Sequence, residues 1–352
     1  MDHVKILKRA FSISWNYRVL WVFGFLLALT LPRGGPNANY QFGANDFSRG
    51  QGFPPFSPAI SQQFINTIIA VGIALLCIII LLAIAGTFVR YISETALIRL
   101  VDQNEATGEK VNVRAGFRMG WSRRAFRLFL IDLLFGVVGI VAFLLLILVA
   151  AAPFLVWLTS SDLLRTLGTV TGIGMVFLVI LLFILIAIIL SVVMQFIRRA
   201  AVLEDLGVFA SIRRGFILVR QRLGDIVVMA LILFALGLGW AVLSIPLIIL
   251  LLLAAVVVGG LPALLAGLIT SLFVQGYLPW IVAILIGLPI FLVVLVVPGS
   301  FVNGLVQVFT SSTWTLTYRE VLALGGARPE AQPPQPAPPL PETDAGAVAS
   351  SL

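Results

Sequence analysis

Long apolar runs, separated by shorter charged or glycine-rich segments, set the pattern of this chain. A helix of about 20 apolar residues crosses the hydrocarbon core of a bilayer and satisfies its own backbone hydrogen bonds there. The pattern therefore predicts an all-α, polytopic transmembrane helical bundle of about six spans within residues 1–322. The predicted spans are residues 15–31, 60–89, 128–158, 167–197, 226–258 and 280–309.

Three segments depart from the long apolar pattern. Residues 32–59 are rich in Gly, Pro and Asn, which indicates an extracytoplasmic loop built of turns or irregular chain. Residues 325–352 contain seven prolines and few large apolar residues, so we expect a disordered cytoplasmic tail with polyproline II character. In residues 259–279 the apolar core is about 12 residues long, which is short for a span. A re-entrant segment, an interfacial helix and a seventh span all stay open there.

A charged island at residues 198–225 holds six arginines and three acidic residues. From Val202 to Leu223 its apolar residues recur every three or four positions, which is the spacing of one helix face, and Asp205 is the predicted N-cap. Such a basic amphipathic helix lies in the membrane surface, where anionic headgroups meet its cations. The residues expected to contact lipid headgroups or a partner are Arg213, Arg214, Arg220, Arg222 and, in the preceding charged loop, Arg123 and Arg124.

A short motif recurs three times, each time just before a predicted span. It is KRAF at Lys8–Phe11, RAGF at Arg114–Phe117 and RRGF at Arg213–Phe216. The recurrence predicts three repeated units, each a basic amphipathic helix followed by an out-and-back pair of spans. These helices could serve as topology anchors and packing elements, or as a specific site for lipid headgroups or a partner, and the sequence leaves both readings open.

The distribution of charge predicts the orientation. Hydrophobic residues make up 60% of the chain, and 20 of the 23 lysines and arginines lie at the N-terminus, in two charged loops and in the tail. Because cytoplasmic segments carry the excess of Lys and Arg, both termini are predicted to face the cytoplasm of a bacterial plasma membrane. The net charge of +8 mostly reflects this topology. We therefore expect anionic lipid, and either a membrane-protein partner or a second copy, rather than nucleic acid. The first span is either a retained anchor or a cleaved signal peptide.

Groups suited to catalysis are scarce. The chain has one cysteine and one histidine, so no zinc site, disulfide, cofactor or catalytic residue is expected. Asp132 is the one good candidate for an ionisable group inside a predicted span, and a nearby arginine, Arg124 or Arg127, is its expected partner. The composition favours a non-catalytic membrane scaffold or accessory protein over an enzyme. The alternative is a small permease or lipid transporter that uses the proline-containing last spans.

Two stretches resemble a known family: RRAAVLEDLGVFASIRRGFILVRQRLGD at residues 198–225, and STWTLTYREV at Ser312–Val321. They are similar to bacterial integral-membrane proteins related to the membrane domain attached to some glycerophosphodiester phosphodiesterases. The resemblance covers roughly residues 1–322 and implies a helical membrane domain, often of unassigned function. The phosphodiesterase barrel of about 250 residues has no counterpart here, so the resemblance does not imply hydrolase activity.

Overall fold

The computed structural model describes residues 1–30, 62–109, 111–159, 161–274, 276 and 278–324. The predicted loop at 32–59 and the predicted tail at 325–352 lie outside these residues. Within the described residues the chain forms helices and no strand. The helices are α1 (His3–Asn16), α2 (Val19–Thr30), α3 (Gln62–Thr107), α4 (Val113–Gly120), α5 (Arg123–Ala151), a 3-10 helix (Ala152–Leu158), α6 (Asp162–Leu203), α7 (Val208–Gln221), α8 (Leu223–Phe273) and α9 (Leu278–Leu324).

The predicted all-α helical bundle is confirmed. Among the described residues, five helices are long and apolar enough to cross a membrane: α3, α5, α6, α8 and α9. Helices α1 and α2 pass the same test only as a pair, and they are bent by 95° at the break between them. The described residues therefore contain five candidate spans, or six if the bent pair counts as one, in agreement with the prediction of about six.

Helix bounds differ from the predicted spans in two ways. The predicted first span, 15–31, is broken at Tyr17 and Arg18, which leaves α2 with only 12 residues. The second difference is that α3, α6 and α9 continue as helix well past their apolar runs, because their polar ends pack against other helices instead of entering water. The predicted span 60–89, for example, is the first part of a helix that reaches Thr107.

The ambiguous segment 259–279 mostly continues α8 without a break. Helix α8 includes Pro246 and Pro262 and ends only at Phe273, so residues 259–273 form neither a separate re-entrant segment nor a seventh span. At a rise of 1.5 Å per residue its 51 residues extend about 76 Å. That length exceeds a hydrocarbon core of about 30 Å, so α8 cannot cross a bilayer upright and keep all of its apolar surface in lipid.

The order of the helices matches the three predicted units. Each amphipathic helix (α1, α4 or α7) is followed, after a break of one or two residues, by an apolar helix (α2, α5 or α8). Each unit then returns through a second long helix, which is α3, α6 or α9. The recurring motif therefore marks the start of each unit, as the sequence predicts.

The three units close into a ring at one end of the bundle. Helix α4 packs against α3, α7 packs against α6, and α1 packs against α9. Each amphipathic helix thus lies on the returning helix of the preceding unit, and α1 closes the ring on the last unit. The charged ends of α3, α6 and α9 also contact one another inside this ring. We call this part, formed by α1, α4, α7 and the last turns of α3, α6 and α9, the basic end.

The core lies mainly at the basic end. The largest fully buried side chains include Tyr17, Phe23, Phe196 and Tyr318, which belong to two apolar clusters there. Along the apolar stretches of α3, α5, α6, α8 and α9, by contrast, most large hydrophobic side chains are exposed. Exposed apolar surface on this scale is expected of helices that face lipid, since it would drive association in water.

Candidate functional site

The third position of the recurring motif anchors each amphipathic helix. It is occupied by Ala10, Gly116 and Gly215, and all three are buried. A methyl group added at Gly215 would lie 2.6 Å from Cγ1 of Ile197 and 2.9 Å from the Ile197 backbone nitrogen. The small residue therefore lets the helix backbone approach its neighbour closely, and it fixes which face of the helix points inward.

The first and fourth motif positions point outward as a consequence. The first position is a cation in every copy, and its side chain is exposed in each: Lys8, Arg114 and Arg213. The fourth position is phenylalanine, and it is 60% exposed at Phe11, 37% at Phe117 and 53% at Phe216. Each amphipathic helix therefore presents a cation and an aromatic ring on its outer surface, and of the three rings Phe117 also packs inward against Phe23, with the ring centroids 4.9 Å apart.

A second outward group follows each phenylalanine at a distance of one helical turn. It is Trp15, Trp121 and Arg220 in the three copies, and all are exposed. Residues four apart lie on the same side of a helix, and the rings of Phe11 and Trp15 stack with their centroids 6.1 Å apart. Aromatic rings next to cations are typical of helices at the boundary between hydrocarbon and headgroups. We call this surface the basic–aromatic stripe.

Only part of the predicted apolar stripe of α7 faces the protein, since Val219 is buried and Ile212 packs against the core. The buried residues of α7 are Ser211, Gly215, Leu218 and Val219, whereas Phe209 and Phe216, which the predicted stripe includes, are exposed. The helix has two apolar faces, and the smaller residues pack inward while the phenylalanines point outward. Sequence periodicity alone does not distinguish a face that meets protein from one that meets lipid.

The predicted N-cap of α7 is also wrong. Helix α7 begins at Val208 with Gly207 as its N-cap, and Asp205 lies in the preceding turn with a φ of 54°. Asp205 accepts a salt bridge from Arg124 Nε at 3.2 Å and one from Arg127 Nη1 at 2.7 Å. Hydrogen bonding from Arg124, together with both positive charges, lowers the pKa of Asp205 despite the opposing desolvation. These pairs therefore stabilise the fold above the ordinary carboxyl pKa and are lost as the pH falls through the lowered one.

The six arginines predicted to contact headgroups divide into two groups. Three are engaged by carboxylates: Arg124 by Asp205, Arg214 by Glu204 at 3.1 Å, and Arg222 by Asp225 at 3.8 Å. The other three are exposed and have no acidic or carbonyl partner within the described residues. These unpaired arginines are Arg123, Arg213 and Arg220.

Among the residues that the structure describes, the side chains of five further cations also have no acidic or carbonyl partner. All of them lie on an amphipathic helix or in the break that follows it, and all are exposed. They are Lys5, Lys8, Arg18, Arg114 and Arg118. The sequence signal that could have identified them is the recurring motif itself, because its first position is Lys8, Arg114 and Arg213. The unpaired cations are therefore distributed over all three units.

Asp132 has a different partner from the predicted one. Arg124 and Arg127 bind Asp205, while Asp132 accepts hydrogen bonds from Arg198 Nη2 at 2.8 and 2.9 Å and from Arg198 Nε at 3.2 Å. Arg198 also donates from Nη1 to Glu94 at 2.9 Å. The bidentate arrangement joins α3, α5 and α6 through charge-assisted hydrogen bonds.

Arg199 joins α6 to α9 without any carboxylate partner in the described part of the chain. Its side chain is buried and donates to the Gln195 carbonyl and the Gln195 side chain, both at 2.8 Å, and to the Ser311 carbonyl at 3.0 Å. Nearby, the Tyr318 hydroxyl donates to Glu204, which also binds Arg214 of α7. Arginines at the ends of the returning helices thus crosslink the basic end. Among the cations of the amphipathic helices, Arg9 and Arg214 bind carboxylates, and the others stay available.

A model of a protein family matches residues 9–332, and it is described as a family of unknown function (DUF7544). The chain belongs to this family. No curated protein matches the DUF7544 chain, and no solved structure does. None of these comparisons links it to the membrane domains of glycerophosphodiester phosphodiesterases, so that resemblance stays a prediction. The matched region of the DUF7544 chain includes most of the unpaired cations, whereas Lys5 and Lys8 precede it.

Five carboxylates at the basic end of this DUF7544 chain have structural partners. Glu94, Asp102, Glu105, Asp132 and Glu204 each form a salt bridge with an arginine. Across the described residues, no group of three or more His, Cys, Asp or Glu side chains could hold a metal ion. The chemical capacity that this arrangement offers is the binding of anions by exposed cations.

Proposed function

We propose that this chain is a non-catalytic scaffold or accessory protein of a bacterial plasma membrane that binds anionic lipid headgroups at its basic end. The observation that carries the proposal is the threefold basic–aromatic stripe. On each amphipathic helix an exposed cation without a carboxylate partner lies beside an exposed phenylalanine, while the buried small residue fixes the helix orientation. The positive-inside rule assigns this end, and with it both termini, to the cytoplasmic side.

The physical chemistry of the stripe favours lipid over other anions. Aromatic rings are favourable at the headgroup level, and each cation near an anionic leaflet gains about 1 kcal/mol. A soluble anion would satisfy the cations but would leave Phe11, Trp15, Trp121 and Phe216 exposed to water. A membrane surface satisfies both kinds of side chain at once, and the same placement keeps the exposed apolar helices in hydrocarbon.

The alternative, a small permease or lipid transporter, has less support. It depends on the prolines inside α8 and α9, since transporters often place substrates at interrupted helices. Helix α8 continues through Pro246 and Pro262, and α9 continues through Pro289 and Pro298. Asp132, the candidate proton carrier, is held by three hydrogen bonds from one arginine. Transport therefore stays a prediction that a flux assay in vesicles can test.

Neutralising the first motif position in all three units should reduce the anionic lipid that the protein retains. We expect the triple variant Lys8→Gln, Arg114→Gln, Arg213→Gln to retain at least about fivefold less phosphatidylglycerol, relative to phosphatidylethanolamine, because three contacts of about 1 kcal/mol each are lost. The measurement is quantitative mass spectrometry of lipids bound to protein purified in mild detergent from vesicles that contain both lipids.

The matched control is Arg165→Gln, since Arg165 lies near the start of α6, at the opposite end from Leu203. It removes the same kind of charge away from the basic end, and the lipid ratio should stay at the wild-type value. A wild-type ratio in the triple variant, or an equal loss in the control, would contradict the proposed function.

A further inference from the structure

A groove runs along the polar side of α1, between this helix and the last turns of α3. Its cavity volume is about 640 Å³, and its polar lining includes Lys5, Lys8, Arg9, Ser12, Asn104 and Glu105. The two walls are far apart in sequence, since Arg9 and Glu105 are separated by 96 positions. The groove therefore exists only in the folded protein, and it lies beside the basic–aromatic stripe, with which it shares Lys8.

The charges in the groove leave two ammonium groups without partners among the described residues. Arg9 Nε binds Glu105 Oε2 at 2.7 Å, so these two charges compensate each other. Asp2 also lines the groove, but its carboxylate accepts the Lys5 backbone N–H at 3.0 Å as the N-cap of α1. Three cations face two carboxylates, which leaves a net charge of +1 that favours one anionic group.

The spacing of Lys5 and Lys8 suits a single oxyanion. Residues three apart in a helix have Cβ atoms about 5–6 Å from each other, so both ammonium groups can reach one phosphate. Arg213 and Arg220 on α7 are two turns apart, about 10.5 Å along the axis, and would contact separate groups. The groove is also much larger than a phosphate, and Asn104 and Ser12 offer amide and hydroxyl partners for polar groups attached to it.

We infer that this groove binds the phosphate and adjoining hydroxyl groups of one anionic lipid headgroup. Lipid is favoured over a soluble phosphate because Val4, which is 60% exposed, also lines the groove. Lys8 belongs both to the groove and to the stripe that carries Phe11, so the groove opens toward the surface that we place against the membrane. This inference rests on the proposed function, which places this surface against the membrane. It adds one selective binding site to a surface that otherwise attracts anionic lipid by its charge.

The test uses the full-length protein in nanodiscs of phosphatidylcholine, with dihexanoyl phosphatidylglycerol as the probe and native mass spectrometry or calorimetry as the readout. The variant Lys5→Gln, Lys8→Gln should bind the probe at least tenfold more weakly. The control, Arg165→Gln, removes an exposed positive charge near the start of α6, away from the basic end, and should stay within twofold of wild type. Lys5, Lys8 and Arg165 are all exposed, so matching thermal midpoints will show that the variants are folded.

Each other outcome overturns part of the assignment. Equal losses in the two variants would mean unselective charge attraction, and no loss in the lysine variant would exclude the groove as the site. If inorganic phosphate displaces the probe at equal concentration, the ligand is a soluble phosphate and the lipid assignment fails. If the lysine variant loses the probe while the variant Arg114→Gln, Arg213→Gln, which leaves both groove lysines in place, keeps the wild-type lipid ratio, the proposed function fails and the groove stands.

Discussion

Arg198→Met is expected to lower the free energy of unfolding by about 3–5 kcal/mol, which is the usual cost of removing one partner from a buried ion pair. Arg198 neutralises both Asp132 and Glu94, and the side chains of all three are less than a fifth exposed. After the substitution Asp132 keeps Arg90 at 3.7 Å and a hydrogen bond from the Tyr91 hydroxyl at 3.1 Å, whereas Glu94 loses its salt bridge in a poorly solvated region. The effect is a large fraction of a typical total stability of about 5–15 kcal/mol.

Thermal unfolding in mild detergent, followed by tryptophan fluorescence, measures this loss. Arg213→Met is the matched control, because Arg213 is exposed and unpaired within the described residues, and it should change the stability by less than about 0.5 kcal/mol. Combining Arg198→Met with Asp132→Asn and Glu94→Gln should recover part of the loss, since both stranded carboxylates are removed and Arg90 alone is left without its partner. Equal stabilities for Arg198→Met and Arg213→Met would show that the network does not hold α3, α5 and α6 together.

Gly304→Ala is expected to destabilise the protein by about 1–3 kcal/mol through overpacking between α2 and α9. A methyl group at this position would lie 2.7 Å from the Phe25 backbone nitrogen and 2.8 Å from the Gly24 carbonyl carbon. Both contacts are to backbone, so no change of rotamer can relieve them and α2 must move. Helix α2 is only 12 residues long and packs mainly on α9, so such a movement disturbs most of its packing.

The control lies on the same helix. A methyl group at Gly299 would meet nothing within 4 Å, and Gly299→Ala should stabilise the helix by up to about 1 kcal/mol because alanine is the better helix former. The two variants carry the same chemical change five positions apart, so their thermal midpoints should move in opposite directions. A midpoint for Gly304→Ala at or above that of Gly299→Ala would contradict the close approach of α2 and α9.

Local patterns in the sequence predict much of this fold. Apolar runs long enough to cross a bilayer predict the five long helices, and the motif that contains Lys8, Arg114 and Arg213 predicts three units. Both signals are contained within a few helical turns, where spacing alone determines which residues share a face. The same local information does not separate the three proposed headgroup arginines that carboxylates engage from the three that are unpaired within the described residues, namely Arg123, Arg213 and Arg220.

Contacts between distant segments could not be predicted in this way. The sequence suggests Arg124 or Arg127 for Asp132 because they are near in the chain, but the partner is Arg198, 66 positions away. The ring closure by α1 on α9 and the groove between α1 and α3 likewise depend on packing across most of the chain. Helices α3, α6 and α9 extend beyond the predicted spans for the same reason, because their polar ends are stabilised by packing against one another.

The central claim is that three equivalent helices lie in the headgroup region of one leaflet. Spin labels at cysteines that replace Phe11, Phe117 or Phe216, in a Cys77→Ala background, can be placed by their collision rates with oxygen and a water-soluble nickel complex. We predict that all three labels lie at the same depth, about 5–10 Å below the headgroup surface. Labels that sit in water, or at three clearly different depths, would contradict the account.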